Sequence, residues 1–204
     1  MITFSNVEAA LDNLNRKTPD LFSRSLLIGG WCALLYYREL KKKNDPEYPA
    51  PIPENKDRLQ SNDLDFTNVW KGDYFDALPE LVVQPTKGAP YLEVAGVRLG
   101  FAQAPEALDP VEAFEKSRKF KTQAGTKFAV LDPVHLYRGK QAMIQKGRGK
   151  ANDPFHLQIA SIYARFELAE AIKKRLSKPS AFNQLRVDRL TKEMKHLAPE
   201  LLRK

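Results

Sequence analysis

The chain has 204 residues, 43% hydrophobic and 28% charged, which fits one globular domain or a core with an appendage and excludes a fibrous or fully disordered chain. No apolar run approaches the ~20 residues of a membrane span, and with one cysteine, Cys32, and three scattered histidines neither an internal disulfide nor a zinc cage of the usual spacing is available. The net charge of +8 is uneven: residues 1–137 carry 17 Lys and Arg against 19 Asp and Glu, and residues 138–204 carry 16 against 6. A basic back half points to an anionic partner, or to lysines and arginines that solvate long helices. The start, Met1-Ile2-Thr3-Phe4, has no basic segment followed by an apolar one, so no secretory signal is expected and a reducing cytoplasm fits.

In chain order, Ser5-Asn6-Val7-Glu8 predicts a capping box with Ser5 at the N-cap. Val7, Leu11 and Leu14 follow at helical spacing, and the helix stops near Thr18-Pro19. Ser25-Leu26-Leu27-Ile28 predicts a buried strand closed by the Gly29-Gly30 turn, and a helix runs from Trp31 to about Lys43. Residues 44–57 hold four prolines and predict an exposed loop. A strand over 62–67 follows, then a short helix over 74–81. Tyr91–Val94 and Val97–Phe101 flank Ala95-Gly96 and predict a hairpin. Residues 104–125 are ambiguous. Thr126–Leu131 predicts a strand, Asp132-Pro133 a helix start, and 147–150 a loop. Phe155 to about Leu176 predicts a long helix, and the stripe Val187, Leu190, Met194, Leu197 and Leu201 a last amphipathic one.

The stretch Ser61-Asn62-Asp63-Leu64-Asp65-Phe66 carries the chemistry. In a strand, residues two apart share a face, so Asp63 and Asp65 aim at one spot while Leu64 and Phe66 turn inward. Two like charges that close repel unless a cation lies between them, and hard oxygen donors suit Mg²⁺ or Mn²⁺. The bland alternative is a strand end with both carboxylates in water. A glycine turn opening a helix exposes backbone N–H groups to an anion, or it is only a tight turn.

The order of these pieces resembles the nucleotidyltransferase-fold superfamily, and most closely the AbiEii-type nucleotidyltransferases of toxin–antitoxin and phage-defence systems. The resemblance spans roughly residues 24–160. It rests on Leu27-Ile28-Gly29-Gly30-Trp31-Cys32-Ala33-Leu34, on the Asp63 and Asp65 stretch, on Leu136-Tyr137-Arg138-Gly139-Lys140-Gln141-Ala142, and on Arg148-Gly149-Lys150-Ala151-Asn152-Asp153. It implies an α+β fold: a small mixed sheet flanked by helices over residues 1–131, then a basic helical region over 132–204. It implies Mg²⁺ (or Mn²⁺) on Asp63 and Asp65, and phosphate contacts from Gly29, Gly30, Ser61, Lys140 and Lys150, with Arg148 able to help. The implied reaction moves a nucleoside monophosphate from an NTP to an acceptor hydroxyl. An RNA or tRNA end is the favoured acceptor, and a cognate antitoxin is an expected protein partner.

Each residue keeps a plainer reading. Ser61 is equally a strand cap, Lys140 a solvated helix residue, Asp153 an N-cap, and Trp31, Tyr36 and Tyr37 packing residues. The pattern also departs from the family. Gly30 and Asp63 are far apart, which the proline-rich loop absorbs. Gly100 stands where a third acid is expected. If Ala95-Gly96 is a two-residue turn, residues 91, 93, 98 and 100 share one face, and Glu93 either supplies the missing catalytic and metal-binding carboxylate or pairs with Arg98. Without a third acid, the chain is a decayed member that binds a nucleotide or a partner, its C-terminal stripe serving as an interface. A plain basic nucleic-acid binder is a third reading, and it leaves Asp63 and Asp65 unexplained.

Overall fold

The computed structural model describes residues 2–55, 59, 61, 63–68, 78–101 and 109–203. It is an α+β fold. The chain divides into two compact units, residues 1–32 with 55–132 and residues 33–54 with 133–204. Residues 33–54 group with the C-terminal helices rather than with the flanking residues of the first unit. Local sequence cannot reveal this, because the grouping comes from tertiary packing.

The first unit is built on a mixed sheet of seven strands among the described residues: β1 Ser25–Ile28, β2 Asp63–Asn68, β3 Val82–Val83, β4 Tyr91–Val94, β5 Val97–Phe101, β6 Arg118–Lys121 and β7 Lys127–Val130. Their order is β3-β4-β5-β2-β1-β7-β6. β2 lies inside the sheet, antiparallel to β1 and parallel to β5. Leu64 and Phe66 of β2 and Leu92, Val97 and Leu99 of the hairpin are almost wholly buried and form the core on one face. The hairpin turn is the expected two-residue one, with φ of 51° at Ala95 and 73° at Gly96, the left-handed pair that such a turn needs.

Helix α1, Phe4–Lys17, lies over β4 and β5 and buries Val7, Leu11 and Leu14. Its N-cap is Thr3, not Ser5. The Thr3 hydroxyl accepts from the Asn6 backbone N–H at 3.2 Å, and the Asn6 side chain accepts from the Thr3 N–H at 3.0 Å. The earlier start brings Phe4 into the helix, on the stripe of Val7 and Leu11, where its ring meets Trp31 edge-on at 5.2 Å. The ambiguous stretch holds a short helix, α3 Pro110–Glu115, capped by Asp109, and then β6. The expected helix over 74–81 reduces to a 3₁₀ turn at Pro79–Leu81 among the described residues; positions 74–77 lie outside them.

Helix α2, Gly30–Lys43, begins in the first unit and continues into the second. The second unit adds α4 Pro133–Gln145, α5 Asp153–Ser177, α6 Ala181–Leu197 and a 3₁₀ turn at Pro199–Leu202. The Tyr36 ring packs against Tyr163, tilted by 34° with ring centres 4.4 Å apart. Val187 and Leu190 pack against Ala171, Leu168 and Ile172 of α5. The C-terminal stripe is therefore core: Val187, Leu190, Met194 and Leu201 are buried, Leu201 from the 3₁₀ turn rather than from α6. Among the described residues no helix is long and apolar enough to cross a membrane.

The burial of that stripe predicts that Met194→Ala lowers stability by about 2–5 kcal/mol and leaves the association state unchanged. Chemical denaturation and analytical ultracentrifugation check the two halves of this statement.

Candidate functional site

The site grows from the alternation of β2. Because Leu64 and Phe66 face the core, Asp63 and Asp65 face the other way. In the parallel pairing, Asp63 is in register with Arg98 and Asp65 with Gly100; in the hairpin, Glu93 is in register with Arg98. Residues 63, 65, 93, 98 and 100 thus share one face. The expected juxtaposition of Asp63 and Asp65 is present in the structure.

Asp65 is held by an absence of side chains. A Cβ added to Gly29 would lie 3.0 Å from Asp65 Oδ2, and one added to Gly100 would lie 3.0 Å from Oδ1. Gly29 also has φ of 77°, a left-handed conformation that disfavours other residues. Gly30, the next residue, opens α2. Asp65 therefore packs at the start of a helix, where a carboxylate is favoured by the unpaired N–H groups and the helix dipole.

Asp63 and Asp65 open on a cleft of about 320 Å³, lined also by Pro85, Lys87, Tyr91, Arg98 and Phe101. The Arg98 guanidinium lies 4.8 Å from the centre of the Tyr91 ring. Sequence reasoning placed Tyr91 and Arg98 on the right face but gave neither a role in the site, although the alternation of β4 and β5 already pointed to both. Lys87 comes from the loop before β4, where no periodicity could flag it.

Glu93 does not complete the pair. It is exposed, it does not line the cleft, and Arg98 stands between it and Asp63. Two strand spacings put the two backbones roughly 9.5 Å apart, whereas ligands of one Mg²⁺ all lie about 2.1 Å from it. Glu93 lies opposite Arg98 in the hairpin, with no ion pair between the two among the described residues. Among the described residues no group of three or more His, Cys, Asp or Glu gathers into a metal cage. The pair still fits a divalent ion: two hard carboxylates, one of them given its room by two glycines, facing a cleft with space for further oxygen ligands. Mg²⁺ commonly uses one or two carboxylates and takes the rest from water and phosphate.

Ser61 serves the strand. Its hydroxyl donates to the Asp63 carbonyl at 3.3 Å, and its own carbonyl accepts from Trp31 Nε1 at 3.2 Å. This is the arrangement of the strand-capping alternative. Lys140 and Lys150 belong to the second unit, where both converge on Asp153. Lys140 Nζ donates to Asp153 Oδ1 at 2.5 Å, and the Lys150 backbone N–H donates to Oδ2 at 2.8 Å. His156 Nδ1 is 3.9 Å from Oδ1. Lys140 is thus a partner of a buried acid rather than a free cation. Burial works to raise the Asp153 carboxyl, but the neighbouring His156 ring and the hydrogen bonds from Lys140 and the Lys150 backbone outweigh it and hold the group well below the usual carboxylate range.

No family model, no curated protein and no solved structure matches the chain.

Two predictions follow from this geometry. Gly29→Ala and Gly100→Ala both crowd Asp65, but only Gly29→Ala adds a left-handed backbone penalty. It should cost about 1–2 kcal/mol more, measured by denaturant unfolding of the two variants. Asp153→Ala should remove roughly 2–4 kcal/mol, toward the low end for a buried pair because Lys140 keeps some contact with water. The folded-state value of Asp153 lies below its ordinary 3.8. Its contribution is therefore complete above that ordinary value and is lost as pH falls from there through the folded-state value. The stability gap between wild type and variant should be flat at neutral pH and close in acid, as read by unfolding curves across pH.

Proposed function

We propose that the chain is a metal-dependent nucleotidyltransferase of the AbiEii-like kind. The observation that carries this reading is the placement of Asp63 and Asp65 on one face of an interior strand, with Asp65 set against Gly29 at the start of a helix and both acids open to the cleft. Asp63 and Asp65 would hold Mg²⁺ or Mn²⁺, which when bound offsets the negative charge of a triphosphate. Lys87 and Arg98 add positive charge on the same cleft. In the reaction, an acceptor hydroxyl oxygen bonds to the α-phosphorus as the bond to the β-phosphate bridging oxygen breaks. Pyrophosphate leaves with that electron pair, and the hydroxyl proton passes to solvent or to Asp63. The cleft's task is positioning and charge, the two demands of phosphoryl transfer. The charge of residues 138–204 makes RNA, including a tRNA end, the leading acceptor, and a cognate antitoxin remains the expected protein partner.

One observation favours a second reading. Glu93 stands outside the cleft, and no other described acid joins Asp63 and Asp65 there. A protein that binds nucleotide without transferring it would have this arrangement.

The test is incorporation of label from each α-³²P NTP into total RNA and protein with Mg²⁺ or Mn²⁺. Wild type should label an acceptor, and Asp63→Ala/Asp65→Ala should lower the rate roughly a hundredfold or more, the scale of losing a preorganised electrostatic group. Glu93→Ala should leave labelling largely intact. Absence of label from every nucleotide, with the protein folded, moves the assignment to nucleotide binding alone.

A further inference from the structure

Among the described residues Arg98 forms no ion pair. It is in register with Asp63 on one side and Glu93 on the other. Yet among the described residues neither carboxylate comes within the 4.0 Å of an ion pair with it. The guanidinium lies over Tyr91 instead. The ring attracts the charge and restrains the side chain, while the guanidinium N–H donors stay available. Lys87, on the same cleft, also has no ion pair among the described residues. A planar, steadied guanidinium beside a lysine is the arrangement that recognises non-bridging phosphate oxygens, the guanidinium as a two-pronged donor and the lysine as a point charge.

Gly100 strengthens the case. A side chain there would press on Asp65 Oδ1, so a carboxylate at this position conflicts with Asp65 as it stands. Two residues back along β5, on the same face of the sheet, the strand offers a cation, Arg98. We infer that Arg98, steadied by Tyr91, and Lys87 form a polyphosphate-binding arm of the cleft, supplying by fixed charge what a third carboxylate and a second divalent ion would otherwise supply. The inference rests on the nucleotide reading above for the identity of its ligand. It adds that one divalent ion, on Asp63 and Asp65, suffices.

The experiment is titration calorimetry with tripolyphosphate in chelator, and with NTP in Mg²⁺. In chelator, wild type should bind tripolyphosphate and Arg98→Ala should weaken it about tenfold or more, the scale of a hydrogen-bonded charge contact. Arg98→Lys should fall between, keeping the charge and losing the fork. Asp63→Asn/Asp65→Asn should tighten binding, because two repelling charges are gone. In Mg²⁺, the same aspartate variant should lose NTP binding. Both Arg98 and Lys87 are exposed, so their variants are expected to fold, and thermal unfolding checks this. No tripolyphosphate binding by wild type, or Arg98→Ala and Lys87→Ala binding it as wild type does, overturns the inference. If those variants are unaffected while the aspartate variant still loses Mg²⁺-dependent NTP binding, the arm is wrong and the nucleotide reading stands. If tripolyphosphate binds through Arg98 but no NTP binds with any metal, the nucleotide reading falls and Arg98 remains an anion site.

Discussion

The register of β2 is the constraint on which the first unit's site depends. The strand is paired on both edges, so its place is fixed by β1 and β5 at once. Leu64 and Phe66 are almost completely buried. A slip of one residue would bring both carboxylates into the core and turn a leucine and a phenylalanine outward. The hydrophobic effect alone therefore delivers Asp63 and Asp65 to the opposite face. The pair is a product of core packing before it is a product of any ligand.

Packing does not make that pair comfortable. Two carboxylates on one face repel, and an interior strand cannot splay to separate them. The surroundings offset this in three ways. Gly29 and Gly100 leave Asp65 room that a side chain would take. The start of α2 adds a favourable helix dipole. Arg98 brings a permanent positive charge into register with Asp63. None of these closes an ion pair with Asp63 among the described residues, and both acids line the cleft.

The features legible in the sequence were those with local causes. The period-two alternation of β2, β4 and β5 and the Ala95-Gly96 turn predicted the shared face of residues 63, 65, 93, 98 and 100. The features missed depend on distant partners. The helical spacing around Lys140 says nothing of Asp153, thirteen residues on, which takes its charge. Ser5 and Thr3 are both competent caps, and the choice falls to Thr3 because Phe4 then reaches Trp31. The region from 109 to 121 stayed ambiguous because α3 spans only six residues and β6 alternates charge with a half-buried side chain at the sheet edge. The third-acid idea for Glu93 used the right face but the wrong neighbour. Sharing a face is not sharing a site when another strand's arginine lies between.

That arginine changes how the departure at Gly100 is weighed. Loss of an acid from a site that needs three reads as decay when the remaining parts are indifferent to it. Here they are not indifferent. The glycine is the complement of Asp65's position, and the neighbouring residue on the same strand and face carries the opposite charge. The fit of Gly100 to Asp65 and the cation two residues back along β5 belong, on the proposed reading, to one arrangement for a ligand. On the proposed reading the cleft divides its affinity for a polyanion into two parts. One part comes and goes with the divalent ion on the aspartates. The other is permanent, because a guanidinium does not deprotonate in a protein.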